Sequence, residues 1–528
     1  MSVPVLLHGL RLFGKVGLYD LTLEDGRIAN ILQTAKGGSG LLALPGFFES
    51  HAHLFPGGVS LEQLNLAAVH DPDALTAALL PHALATAPGE LVCAYAANYD
   101  LLGGVRPDRH ALDEILPNRP VCIAATDFHC AWANTAALQW AGILNGSPVE
   151  GVQMADGKAT GELREFAAMD LVRRLAPSGG RETLGLMAVE PEAVTPEQRA
   201  RDKATIRRAM EECLRHGITS LVNMDGNLYL ADLLTEMAAD LPLRVSLPMT
   251  LVPGMTAERR DVLLKRAMSE PVGHLTFGRV KMFMDGVFDT WTAFRTDDYP
   301  ERPGFRSAPL FAPVEFAALC VEADAMGLQI AVHAVGDGAV RATLDGYEAA
   351  RTANGARDSR HRIEHIDMIH PADLPRLKAL GVVASMQPVH PPGLAGLPLE
   401  PTTSIMSPSR WGDAFPWRAI RDLGVPLAYG TDWPVSPLSP LHALHCALSR
   451  QPWATGGPDQ RLTLAEALDA YSAAGAYADF AEAARGRIAV GMAADLVLLS
   501  GDLAGLSDSH DACRVEKVFS GGHLAWES

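Results

Sequence analysis

Eight short apolar runs, each ending in polar or glycine residues and most followed by Ala- and Leu-rich stretches, constrain this chain more than any other feature. They are residues 41–53 (LLALPGFFESHAH), 218–224 (ITSLVNM), 243–250 (LRVSLPMT) and 279–286 (RVKMFMDG), then 328–336 (LQIAVHAVG), 361–368 (HRIEHIDM), 382–388 (VVASMQP) and 426–434 (PLAYGTDWP). Strand alternating with helix predicts an α/β fold with a parallel sheet, because a parallel neighbour is reached only through a crossover. Eight such units close a (β/α)8 barrel of the TIM type.

Two parts of the chain fall outside that series. Residues 1–45 and 485–528 both alternate short apolar stretches with glycine turns, and neither end alone buries a sheet face, so together they predict one small β-sandwich domain. The barrel domain then spans 46–484. The gap between its first and second strands is too long for one crossover helix, so about residues 57–200 form an inserted subdomain. The Pro-rich stretch 388–401 reads as a long loop over one end of the barrel.

Composition narrows the partners. With 528 residues, 48% of them hydrophobic and 20% charged, the chain can bury a sizeable core. The net charge of −18 excludes duplex nucleic acid as the main partner, since phosphate binding draws on clustered Lys and Arg. There is no run of about 18 apolar residues to span a membrane, and the start, MSVPVLLHGLRLFGK, has no basic segment before its apolar stretch. The seven cysteines are scattered with no CxxC pair, which fits reduced thiols and a cytoplasmic location.

The chemistry lies in where a few of the 18 histidines fall. His51 and His53 end the first strand at positions i and i+2, which face the same way, so two imidazoles converge on one point. Lys281 lies in the fourth strand, His333 in the fifth, His365 in the sixth and Asp432 at the end of the eighth. Each alone has a blander reading: a satisfied core histidine, a helix cap, a snorkelling lysine. Together, at the carboxyl ends of strands where such barrels build their sites, they form a metal constellation.

This set resembles the amidohydrolase superfamily. More narrowly, LPGFFESHAH, HCAWANTAALQWAGI, TGELREFA, VKMFMDGV, HAVGDGAV, RIEH, MQPVH and AYGTDWPV are similar to the amidohydrolase family 3 branch typified by N-substituted formamide deformylase. The resemblance implies one or two divalent ions, zinc foremost. His51, His53 and Asp432 would hold the more buried ion and His333 with His365 the second, Lys281 bridging both if N6-carboxylated. A metal-activated hydroxide would attack a C–N bond in an amide or formamide-like small molecule, with Asp432 as the catalytic proton carrier. Hydrolysis of a cyclic amide or carbamate, deamination of an amidine, and a non-catalytic scaffold are the alternatives.

His129, Trp132, Gln387 and His390 are the candidate substrate-binding residues, with Asn134 beside them. Glu364 precedes His365 and so faces the other side of its strand, as a supporting partner. Asp285 and Asp337 sit in Asp-Gly turns. Cys130 and the segment GVFDTWTAF depart from the branch's pattern, which weakens transfer of a substrate identity. Copies of so large a barrel often pair, so a homo-oligomer is the expected assembly.

Overall fold

The computed structural model describes residues 3–528 apart from Lys36 and Gly104; Met1 and Ser2, at the start of the expected terminal domain, lie outside the described residues. Each of the eight apolar runs contains strand: β1 (Phe47–Ala52), β2 (Ile218–Asn223), β3 (Arg244–Ser246) with β4 (Met249–Thr250), β5 (Arg279–Phe283), β6 (Gln329–Ala334), β7 (Arg362–His365), β8 (Val383–Met386) and β9 (Leu427–Tyr429). β3 and β4 are one apolar run broken at Pro248, which has no N–H for the ladder.

Pairing is parallel throughout. β1 pairs with β2 and β2 with β3, while β4 pairs with β5 and the order continues through β6, β7 and β8 to β9. A short strand at Leu275–Thr276, not foreseen, lies beside β3. After β9 the chain returns to β1: Ala52 and Trp433 form a parallel bridge, and the Asp432 N–H donates to the His51 carbonyl at 2.8 Å. This approach requires Gly430, where a Cβ would stand 2.5 Å from the His51 nitrogen and 2.6 Å from Oε1 of Glu49.

Helices cover these strands by burying one stripe each. The helix Pro196–Arg215 starts with a Thr195–Gln198 capping box and turns Ile206, Ala209, Met210, Cys213 and Leu214 inward at helical spacing. It packs on β2 and on the helix Leu54–Ser60. Each large side chain in such a stripe contributes roughly 1.5–3 kcal/mol of burial. The expected edges of the inserted excursion, 57 and 200, fall inside these two helices.

Within that excursion lies a six-stranded sheet in the order Val152–Ala155, Lys158–Arg164, Cys130–Ala133, Val121–Ala125, Val92–Ala97, Leu64–Asn65. It has an apolar cluster of its own, including Leu75, Leu79, Val121, Ile123 and Trp132. The chain ends share one seven-stranded sheet: Val5–Leu12, Leu18–Glu24, Arg27–Thr34 and Leu42–Pro45 join Leu496–Gly501, Cys513–Ser520 and His523–Glu527. Among the described residues no helix is long and apolar enough to cross a membrane.

Candidate metal centre

At the end of β1 the two-residue period turns His51 and His53, the residue just past the strand, to one side, and their neighbours decide which ring nitrogen stays free. Nδ1 of His51 donates to Oε2 of Glu364 at 2.8 Å, and Nδ1 of His53 donates to Oδ1 of Asp225 at 2.7 Å. An ionised carboxylate only accepts, so each ring carries a proton on Nδ1 and turns Nε2 inward. Both Nε2 atoms face Oδ1 of Asp432, at 3.2 Å from His51 and 3.1 Å from His53, and that oxygen accepts no well-directed hydrogen bond.

Two imidazole nitrogens and one carboxylate oxygen therefore lie within 4.8 Å of one another. That donor set suits a divalent transition ion. Burial opposes charge on His53, but the neighbouring carboxylates of Asp225 and Asp432 overcome this and raise it to about 9. A cation at Nε2 would take that proton's place. Burial also works against ionising Asp432, yet His51 and His53 hold it well below the usual carboxylate range.

A second group of converging donors comprises His365, His390 and again Asp432. Nδ1 of His365 donates to Oε1 of Gln387 at 2.9 Å. His390, expected against substrate, thus also stands among the candidate ligands, and the buried Gln387, likewise expected against substrate, bonds His365. His333, expected beside His365, is outside both groups: its Nε2 donates to the Gly286 carbonyl at 3.2 Å, although its ring stays 4.5 Å from that of His365. Burial holds His333 and His365 well below the usual imidazole range and brings His390 down to about 4, so all three are in the neutral form a metal takes.

Backbone geometry corrects the expected facing of β7. Glu364 points inward, to His51 and to Nε of Arg362 at 2.8 Å, and His365 reaches the same side because it and Ile366 are left-handed, with φ 78 and φ 50. A strictly extended strand would send His365 outward. Asp432 is left-handed as well, with φ 60. Glu364 is nonetheless the supporting partner it was expected to be.

His51, His53, Lys281, His333, His365 and Asp432, the six expected ligand positions, line one cavity together with His129. Nζ of Lys281 is fully buried with no hydrogen-bond partner, and burial lowers it to about 8 against the pull of Glu364 and Asp432. Nδ1 of His129 donates to Oε2 of Glu165 at 2.7 Å, which fixes the insert's histidine over the cavity.

Trp132 is not brought there. Its ring is fully buried edge-on to Tyr99 in the insert's apolar cluster, because the outward face of its strand is the insert's own core. Trp132→Ala is expected to cost about 3–5 kcal/mol of stability with KM unchanged in the folded fraction; a KM rise without loss of melting temperature would restore the substrate role. Asn134 caps the helix Thr135–Trp140. Asp285 accepts the N–H groups of Phe294, Val335 and Gly336 at 2.8, 3.0 and 2.9 Å, and Asp337 accepts from Thr296, so both organise loops.

Two residues escaped the sequence reading. Asp225 holds His53, and Oε1 of Glu49 accepts the N–H groups of Thr431 and His51 at 2.7 and 3.2 Å, pinning β1 to the segment that carries Asp432. The available signal was Asn223 and Asp225, two apart at the end of the second strand, which the run 218–224 closes one residue too early. Asp225→Ala is expected to weaken metal affinity about 10–100-fold, measured by competition with a chelator, and to recover activity at saturating metal. Unchanged affinity would mean that Asp225 does not orient a ligand.

A family model described as the amidohydrolase family matches residues 39–524. The chain belongs to the amidohydrolase family. Among curated relatives, this amidohydrolase is 29% identical to Protein LONG AFTER FAR-RED 3 of Arabidopsis thaliana, covering 87% of this chain and 78% of that one. It is 26% identical to N-substituted formamide deformylase of Arthrobacter pascens, covering 88% and 84%. Among solved structures, an uncharacterized metal-dependent hydrolase from Pyrococcus furiosus superposes with a TM-score of 0.69 at 24% identity, covering 95% of this chain and all of the other, a likeness of fold. As an amidohydrolase the chain is a hydrolase of carbon–nitrogen bonds, and the His/Asp cluster is its candidate metal centre.

Proposed function

We propose that the protein is a metal-dependent hydrolase of an amide or formamide-like bond in a small molecule. The observation that carries this reading is the convergence of His51, His53 and Asp432, with a carboxylate behind each imidazole. Held by these residues and by His365 with His390 or His333, one or two divalent ions, zinc foremost, would supply the Lewis acidity that makes water nucleophilic at neutral pH and polarises the scissile carbonyl.

The chain's own groups carry the protons. Asp432, ionised and with Oδ1 free of a well-directed donor, takes a proton from the attacking water and passes it to the leaving nitrogen. The C–N bond breaks, a C–O bond forms, and water's second proton stays on the acid product. Glu364, Asp225 and Gln387 hold the imidazoles in the right tautomer. Lys281 would add an anionic ligand if its amine were carboxylated by carbon dioxide; an ammonium cannot ligate, and the unpartnered, buried Nζ supports that reading. His129 orients the substrate from the insert.

The parallel series closing from β9 back to β1 is read here as a (β/α)8 barrel, with the shared terminal sheet (1–45 and 485–528) and the insert as its two additions. The functional test is a panel of amides, formamides, lactams and carbamates assayed with zinc-loaded protein for released amine. Turnover of at least one amide or formamide, abolished by a chelator, is expected; turnover confined to lactams or carbamates, or none across the panel, overturns the reading.

A further inference from the structure

The cavity over the metal centre continues outward into a part that the hydrolytic step does not use. This outer part shares His129, His333, His365 and Asp432 with the inner cavity, and Asp127, Asp289 and Asp367 stand on its walls. No Lys or Arg lines it among the described residues. The rest of the wall is largely apolar, with Phe288, Leu397, Pro398 and Phe415.

The three acids differ in what they already bind. Asp127 is engaged on both oxygens, by the His129 N–H at 2.9 Å and the Tyr99 hydroxyl at 2.9 Å. Asp289 accepts from the Thr402 hydroxyl at 2.6 Å. No described group donates to the Asp367 carboxylate, whose Oδ1 is buried. The Arg106 guanidinium is turned to Glu162 at 3.0 Å and to the backbone carbonyl of Asp289 at 3.1 Å, not to either carboxylate.

Withdrawing unpaired carboxylates from water is costly unless a partner arrives. The partner that fits Asp367, which has no donor, and Asp289, which has one from Thr402, on an otherwise apolar wall with no competing cation is an N–H-rich cation. A neutral ligand would offer hydrogen bonds but no charge to offset the acids, and an anion would be repelled. We propose that the substrate carries a protonated amine held by Asp367 and Asp289, while its scissile carbon–nitrogen group lies at the inner end against Asp432. This rests on the hydrolase reading above and adds the substrate's charge class to it. Burial and the neighbouring Asp127 push Asp289 up to about 7, so an ammonium beside it would also favour its ionised form.

The test uses zinc-loaded protein and the near-isosteric pair N-(4-aminobutyl)formamide and N-pentylformamide, in which an ammonium replaces a methyl group. The ratio of their kcat/KM values is expected to favour the cationic compound by at least about ten-fold. That ratio should collapse towards unity in Asp367→Asn and Asp289→Asn, chiefly through KM. A second arm measures binding of 1,4-diaminobutane against pentylamine by calorimetry, where the diamine should bind at least about ten-fold tighter and lose that advantage in Asp367→Asn. Equal handling of both members in both arms, or a preference that survives both substitutions, overturns the inference while leaving the hydrolase reading standing. If neither formamide is hydrolysed but the diamine keeps its Asp367-dependent advantage, the cation site stands and the formamide reaction falls.

Discussion

Asp432→Asn is expected to lower turnover by about 10²–10⁴-fold while the purified variant keeps most of its metal. The side chain's size and one oxygen remain, so the donors His51 and His53 still have an oxygen facing them. What disappears is the negative charge and the basicity. In the native protein this carboxylate stays ionised despite burial, because His51 and His53 outweigh the desolvation cost. An amide oxygen accepts no proton at neutral pH, so it neither takes one from water nor delivers one to the leaving nitrogen. The effect therefore falls on kcat, and metal analysis alongside the kinetics separates it from simple loss of the ion. Near-normal turnover in a metal-replete variant would remove Asp432 from the proton-carrying role.

The second large effect is on stability and metal together. His53→Ala removes one of three converging donors and takes the N–H partner from Asp225, which is buried and then keeps only its contacts with Asn223. Leaving a buried charged acceptor short of a donor costs about 1.5–3 kcal/mol, so the metal-free variant should melt several degrees below the metal-free native protein. A ligand that binds only the folded state raises its melting temperature by mass action. Zinc should accordingly raise the melting temperature of the native protein and raise that of His53→Ala far less. Equal responses to zinc would mean that His53 is not a ligand.

Much of this architecture was legible because parallel strands buried on both faces read as continuous apolar runs, and all eight carry strand. The six expected ligands line one cavity for the same reason, since each lies within or at the end of such a run. What escaped depended on backbone turns and on partners distant in sequence. A period-two rule cannot foresee the left-handed backbone that carries His365 inward beside Glu364. It also cannot tell which histidine follows His365 into convergence, because His390 comes from an irregular loop while His333 is drawn to a carbonyl. Trp132 lay within a family-like motif, yet the insert's core claims it, a contest between motif and burial that only packing decides. Asp225 and Glu49 matter through bonds to β1 and the segment after β9, contacts no local pattern announces.

Metal content is the property that the His/Asp cluster fixes most directly. Protein purified without chelator and analysed for elements should carry one or two divalent ions per chain, zinc foremost, falling in both His51→Ala and His53→Ala. A native protein free of transition metal, with no rise in melting temperature and no gain in activity on adding zinc or manganese, would contradict it.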